Sequence, residues 1–156
     1  MWALTLRQPW AWMVVHGSKD LENRSWANKI VFELLHQQKE FAIHAGLGMT
    51  RLEHEDAVAF AQQEDPELVV PNPWALGYEG ELRFGQVIGT AKIRAVWSKE
   101  QYGPPGRSDH VRWHLPDRWG WQLVERRVLP FPIFMGGKQG FWKLEDALIE
   151  NARRVA

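Results

Sequence analysis

The chain has 156 residues, 45% hydrophobic and 24% charged, with zero net charge at neutral pH and no cysteine. These values predict one folded domain over 1–156 and exclude a disordered tail, a disulfide framework, a thiolate nucleophile and a cysteine-based zinc site. Zero net charge also excludes coating of nucleic acid by bulk attraction alone, but the charge is polarised: eight acidic residues against one basic over 51–81, and eleven basic against four acidic over 82–143.

The opening, 1–6, alternates weakly and predicts a strand. Pro9 suits a first helical turn, since its fixed φ is helical and its missing N–H is not needed there. A buried helix is expected over 9–16, with Gly17 as a left-handed exit. Over 17–26 polar residues dominate but alternate, which in a strand puts Glu22, Arg24 and Trp26 on one face. The run 30–36 is too short to reveal its period. Residues 41–45 predict a strand ended by Gly46 and Gly48.

Thr50 and Glu53 match a capping box, opening an acidic surface helix to residue 63 with Ala57, Phe60 and Ala61 at helical spacing. Three prolines and two glycines make 66–80 a loop. Residues 86–97 are the clearest strand, with Val87, Ala91, Ile93, Ala95 and Trp97 on one side and the cations Lys92 and Arg94 on the other. A long loop follows over 98–118. Strands are expected over 119–126 and 140–144, flanking a proline-rich crossing and a glycine turn. An amphipathic helix over 145–155 is expected to bury Leu148, Ala152 and Val155.

No apolar run approaches the roughly 18 residues of a membrane span. The N-terminus also lacks a basic stretch followed by a hydrophobic segment and cleavage site, so the expectation is a cytoplasmic protein without membrane attachment. Ten tryptophans read as core fillers with indole N–H groups bonded to backbone, or, for one or two, as a cleft wall on which a base stacks. A tryptophan-rich surface would instead serve a protein-interaction module. His110 and His114 stand four apart, but in a loop, so no metal and no cofactor is expected. No phosphate-binding glycine motif and no G-x-S-x-G elbow occurs.

The chemistry-bearing residues concentrate in RQPW (7–10) and GSKDLENR (17–24). Lys19 offers a movable point charge, and Arg24 a planar fork for phosphate or a base edge; Arg7 adds a second fork and Gln8 a further polar contact. Glu22 can accept from an exocyclic amine or act as a general base. Trp10 or Trp26 can stack on the base. The plainer alternative is an ion-pair network of Glu22 with Lys19 or Arg24, contributing about 0–1 kcal/mol if it lies at the surface.

GSKDLENR resembles the GxKxxExR signature of the ASCH family in the PUA-like superfamily, and LTLRQPWAWMVVHGSKDLENRSW is similar to the way that family's domains begin. FAIHAG, FGQVIGTAKIRAV and WGWQLVERRVLPFPI…GKQGFWKL resemble its later strands, in its order. The resemblance implies an α+β fold, a PUA-like small β-barrel with flanking helices, and a cleft rimmed by the signature residues. It also implies an RNA, nucleic-acid or nucleotide ligand; the basic face at Lys92 and Arg94, read from the strand itself, is expected to assist.

Family members include nucleic-acid-binding modules, amidohydrolases that deacetylate N-acetylated cytidine, and proteins credited with ribonuclease activity. An enzyme of this kind would be a metal-independent amidohydrolase acting on modified pyrimidine nucleosides, or a ribonuclease, with Lys19 and Glu22 as the catalytic pair. The amidohydrolases carry threonine where this chain has Glu22, which shifts the expectation from hydrolysis toward binding. Thr90 is the hydroxyl to look for near Lys19. A closed pocket of nucleoside size would favour the enzyme, and an open groove toward Lys92 and Arg94 would favour RNA. Oligomeric state stays open.

Overall fold

The structure is a computed structural model describing residues 1–77 and 80–154. One six-stranded sheet has the order β2-β5-β4-β3-β1-β6, built from β1 (Trp2–Leu6), β2 (Leu21–Arg24), β3 (Glu40–Ala45), β4 (Gln86–Trp97), β5 (Trp119–Phe134) and β6 (Phe141–Lys143). Among the described strands only β1 and β3 pair in parallel, because the connection between them passes through α1 (Trp10–Val15), β2 and α2 (Lys29–Gln37). Helices α3 (Arg51–Glu64) and α4 (Asp146–Arg154) complete the expected α+β fold.

The sheet curls. Its edge strands β2 and β6 share no ladder, but Trp26, just past β2, lies edge-on to Phe141 of β6 at 6.2 Å and to Trp121 of β5 at 5.1 Å. Trp121 and Phe141 stack with centroids 5.7 Å apart. The barrel is therefore a half-barrel whose seam is bridged by aromatic rings. Its interior holds Leu4, Leu6, Phe41, Ile43, Ile88 and Ile93 under Val14 and Val15 of α1 and Val31 and Leu34 of α2. Helix α4 covers the other face over Ala3, Ala42, Val87 and Trp142. Helix α3 packs with Met13, Leu21 and Trp113.

The ambiguous run 30–36 is helix α2. Asn28 caps it, its Oδ1 accepting from the amides of Ile30 and Val31 at 3.1 and 3.4 Å, a preference that favours helix where periodicity is silent. The Thr50–Glu53 capping box is present in both directions. Residues 66–80 contain no helix or strand where they are described.

Several expectations need correction. Gly17 does not take a left-handed backbone; glycine is required because a Cβ would come within 2.7 Å of the Met13 carbonyl oxygen. The end of α1 is satisfied by Arg126, whose Nη1 donates to the carbonyls of Val14, Gly17 and Lys19 at 2.9–3.0 Å, so it also fixes the backbone from which Lys19 projects.

The proline-rich crossing is part of β5. Val87 pairs with Ile133 and Gly89 with Val128, so Pro130 and Pro132 fall in a bulge, where a missing N–H breaks no ladder bond. Register shifts at three places along β4 and β5 also undo the simple two-face division of β4: Ile88, Ala91 and Ile93 share one cluster while Val87 joins another. In α4 the buried residues are Ile149 and Ala152, with Leu148 half-buried; Val155 lies outside the described residues.

The tryptophans also differ from expectation. Trp113, Trp121 and Trp142 are buried, six more are half-buried, and Trp74 is exposed. The indole N–H of Trp142 donates to Thr5 Oγ1 at 3.0 Å, not to backbone, and those of Trp97, Trp113 and Trp121 have no partner among the described residues. No described helix is long and apolar enough to cross a membrane.

Candidate functional site

A cleft of about 400 Å³ opens at the seam of the half-barrel. Strand β2 supplies Glu22, Asn23 and Arg24, its exit supplies Trp26, α1 supplies Trp10, and Lys19 stands between α1 and β2. The far wall carries Leu115 and Arg118 from the loop before β5, with Gln139 from the turn before β6. Glu22, Arg24 and Trp26 all reach this cleft, but Asn23 and Ser25 line it as well, so its wall is not one face of a strand.

Its floor is a buried charge cluster. Lys19 has a 2% exposed side chain and Glu22 a 9% exposed one, and Lys19 Nζ lies 3.5 Å from Glu22 Oε2 while also donating to the Leu21 carbonyl. Arg24 Nε stands 2.9 Å from Glu22 Oε1 but makes no directed hydrogen bond there, so that contact is one of charge. Arg24 Nη2 donates to the Thr5 carbonyl at 2.8 Å.

Burial lowers the Lys19 pKa, and Arg24 pushes the same way; Glu22 and Asp20 oppose them. One ring face of Trp10 meets Lys19 Nζ at 5.5 Å, a cation–π contact that occupies this indole. Trp26 is half-buried, its ring braced edge-on by Trp121 and Phe141.

Past Arg24 and Gln139, which line both, lies a second hollow of about 440 Å³. Arg7 borders it, held by Glu53 through Nη2 at 2.7 Å to each carboxylate oxygen. Gln8 reaches neither hollow: it is 1% exposed, its Oε1 accepts from the Trp12 amide at 3.0 Å and its Nε2 donates to the Arg83 carbonyl at 2.7 Å. Those bonds make it a cap on α1.

Lys92 and Arg94 line neither hollow. Lys92 pairs with Glu125 at 2.8 Å, and Arg94 is exposed. Thr90 is buried away from Lys19, between Glu40 at 2.5 Å and Arg153 at 3.0 Å, so it offers no nucleophile to the cleft. The groove is open but does not run toward Lys92 and Arg94.

Sequence reading missed Asn23 and the loop it holds. Asn23 Nδ2 donates to the Trp113 carbonyl at 2.7 Å and its Oδ1 accepts from the Leu115 amide at 2.9 Å, clamping the wall that carries Arg118. No local signal announces a contact across some ninety residues of chain; asparagine in a strand, where it is disfavoured, was the available hint.

His110 clamps the same loop: Nδ1 lies 2.7 Å from the Gly103 carbonyl and Nε2 3.2 Å from Glu64 Oε2, which also accepts from the Trp113 amide at 3.1 Å. Two acceptors need two ring N–H groups, so the geometry suits imidazolium. The Gly103 bond and Glu64 raise the His110 pKa above 6.5, against burial and Arg112. Its stabilising contribution is therefore complete below pH 6.5 and is lost as pH rises through the raised folded value. Melting temperatures of wild type and His110→Gln should converge with rising pH above 6.5; parallel curves would show that the clamp is not ionic. His114 binds the Arg118 carbonyl at 2.8 Å, and no group of three or more metal-ligating side chains occurs among the described residues.

No family model matches the chain, and no curated protein matches it. Among solved structures, the crystal structure of ASCH from Zymomonas mobilis is similar to it at a TM-score of 0.47 and 14% identity, covering 99% of this chain and 92% of that one. A serine-to-alanine mutant of the Zymomonas mobilis protein gives a TM-score of 0.47 and 13% identity, covering 99% and 93%.

Proposed function

We propose that the cleft binds the base of a nucleotide or of single-stranded nucleic acid. The observation that carries this reading is the juxtaposition, in one open cleft, of the half-buried Trp26 ring, the buried Lys19–Glu22–Arg24 cluster and Arg118. Trp26 supplies a stacking surface, Glu22 an acceptor for an exocyclic amine, and Arg24 and Arg118 donors for base edge or phosphate. Arg118 is exposed and makes no ion pair among the described residues, so its charge is free for a ligand.

A second reading, hydrolysis of an acylated nucleoside or of an RNA phosphodiester, is favoured by one feature: an amine whose pKa burial lowers, beside a carboxylate. Burial leaves more of the amine unprotonated, and so able to accept a proton, than in an exposed lysine, which is the feature a general base needs.

One experiment tests both. Short single-stranded RNAs and acylated nucleosides are titrated and assayed for turnover with wild type, Trp26→Ala, Arg118→Glu and Glu22→Gln. Binding should weaken by about 1–3 kcal/mol in Trp26→Ala, the usual worth of one stacked base, and should also weaken in Arg118→Glu. Unchanged binding in both variants would overturn the reading. Turnover abolished by Glu22→Gln would favour the hydrolase; no turnover would remove it.

A further inference from the structure

We infer that the second hollow is a phosphate subsite, so that the ligand is a single-stranded polynucleotide spanning at least two nucleotides, and not a free nucleoside. This rests on the base-binding reading of the first cleft. Each hollow, at about 400 and 440 Å³, falls near the small end of the roughly 300–1,000 Å³ range of ligand clefts, which suits one nucleotide apiece. They meet at Arg24 and Gln139, which line both, so a chain leaving the first passes over a guanidinium before entering the second.

The second hollow has the chemistry of an anion site. Two turns wall it, one carrying Gly46 and Gly48 and the other Gly137 and Gly140; glycine lets a ligand approach the backbone closely, although the Gly46 amide itself is taken by the Leu6 carbonyl at 2.8 Å. At Gly137 a Cβ would stand 2.4 Å from the His44 ring and 2.7 Å from Thr5 Oγ1, so that turn is pressed against β1 and β3.

Its cations keep donors to spare. Arg7 is orientated by Glu53 through Nη2 alone, and Glu53 is itself fixed by the Thr50 amide at 2.7 Å, which leaves Arg7 Nη1 and Nε free. The Arg7 guanidinium lies beside Gly48, whose Cβ would be 3.6 Å from Nη1 and Nη2. Lys138 is exposed and has no partner among the described residues. His44 adds no charge: burial lowers its pKa, and its Nε2 serves the Met135 carbonyl at 2.9 Å. Positive charge on the rim, with a neutral floor, suits the monoanionic phosphodiester of a chain.

The test is a ladder of homo-oligoribonucleotides, one to four residues of each base, titrated against the full chain at several salt concentrations. Affinity should step up between one and two residues, and the salt slope should steepen by about 0.7, the single-strand value per neutralised phosphate. Lys138→Ala, at an exposed turn position, should reduce that step about fivefold while leaving the one-residue ligand unaffected; Arg7→Met should do the same. If one- and two-residue ligands bind equally, or the step survives both substitutions, the phosphate subsite is wrong while the base reading stands. Should neither ligand bind at all, the base reading fails and the subsite falls with it.

Discussion

Replacing Glu22 by alanine should cost about 3–5 kcal/mol of stability, the usual loss when one partner leaves a buried ion pair. Glu22 alone sits between Lys19 at 3.5 Å and Arg24 at 2.9 Å, and its removal strands an ammonium whose side chain is 2% exposed. Lys19→Met should cost less, because Glu22 keeps Arg24 as its partner. The two variants therefore separate a carboxylate that neutralises two cations from a simple pair.

Glu22 is also the first of the groups that hold the Lys19 pKa up against burial, so in Glu22→Ala the folded-state value falls further. A lysine with a depressed folded pKa binds fewer protons folded than unfolded, and stability then rises with pH toward its ordinary value of 10.5. The part of the deficit due to Lys19 is largest below its folded-state pKa and shrinks as pH rises through it. Urea denaturation of wild type, Glu22→Ala and Lys19→Met over that range reads both effects. Equal losses in the two variants, or a deficit independent of pH, would contradict the account.

The same cluster marks how far sequence could be read. The start of α3 follows from its capping box, a local rule, whereas the single face expected for Glu22, Arg24 and Trp26 gives way to a cleft lined by every residue from 22 to 26, because β2 ends at Arg24. Lys92 and Arg94 stand apart from both hollows for a non-local reason: three register shifts between β4 and β5 and the curl of the sheet decide where that face points, and alternation cannot express them. Gln8 sits within four residues of a helical amide that its side chain caps, yet composition alone cannot separate a capping glutamine from one that meets a ligand. Arg126 and Asn23, which position Lys19 and the Arg118 loop, act across long stretches of chain. The seam itself is made by tertiary ring contacts. Ten tryptophans signalled that aromatic packing mattered, without saying which of them close the sheet.

Trp121 should be the most costly of these rings. It is fully buried on β5, stacked on Phe141 at 5.7 Å and edge-on to Trp26 at 5.1 Å, so it joins both edges of an otherwise open sheet. Trp121→Ala should lose about 3–5 kcal/mol, from transfer of the ring and the cavity left behind, which for a domain of this size is roughly 6–20 °C in melting temperature. Its indole N–H has no partner, so Trp121→Phe sacrifices no hydrogen bond and should retain much of the stability.

Trp26→Ala removes a half-buried ring from the rim and should cost less stability than Trp121→Ala, with its main effect on ligand affinity. The order of the three variants by melting temperature, set beside their order by ligand affinity, separates the ring that closes the half-barrel from the ring that faces the cleft. If Trp26→Ala proved as destabilising as Trp121→Ala while binding held, the seam would be structural through both rings and the stacking role of Trp26 would be lost.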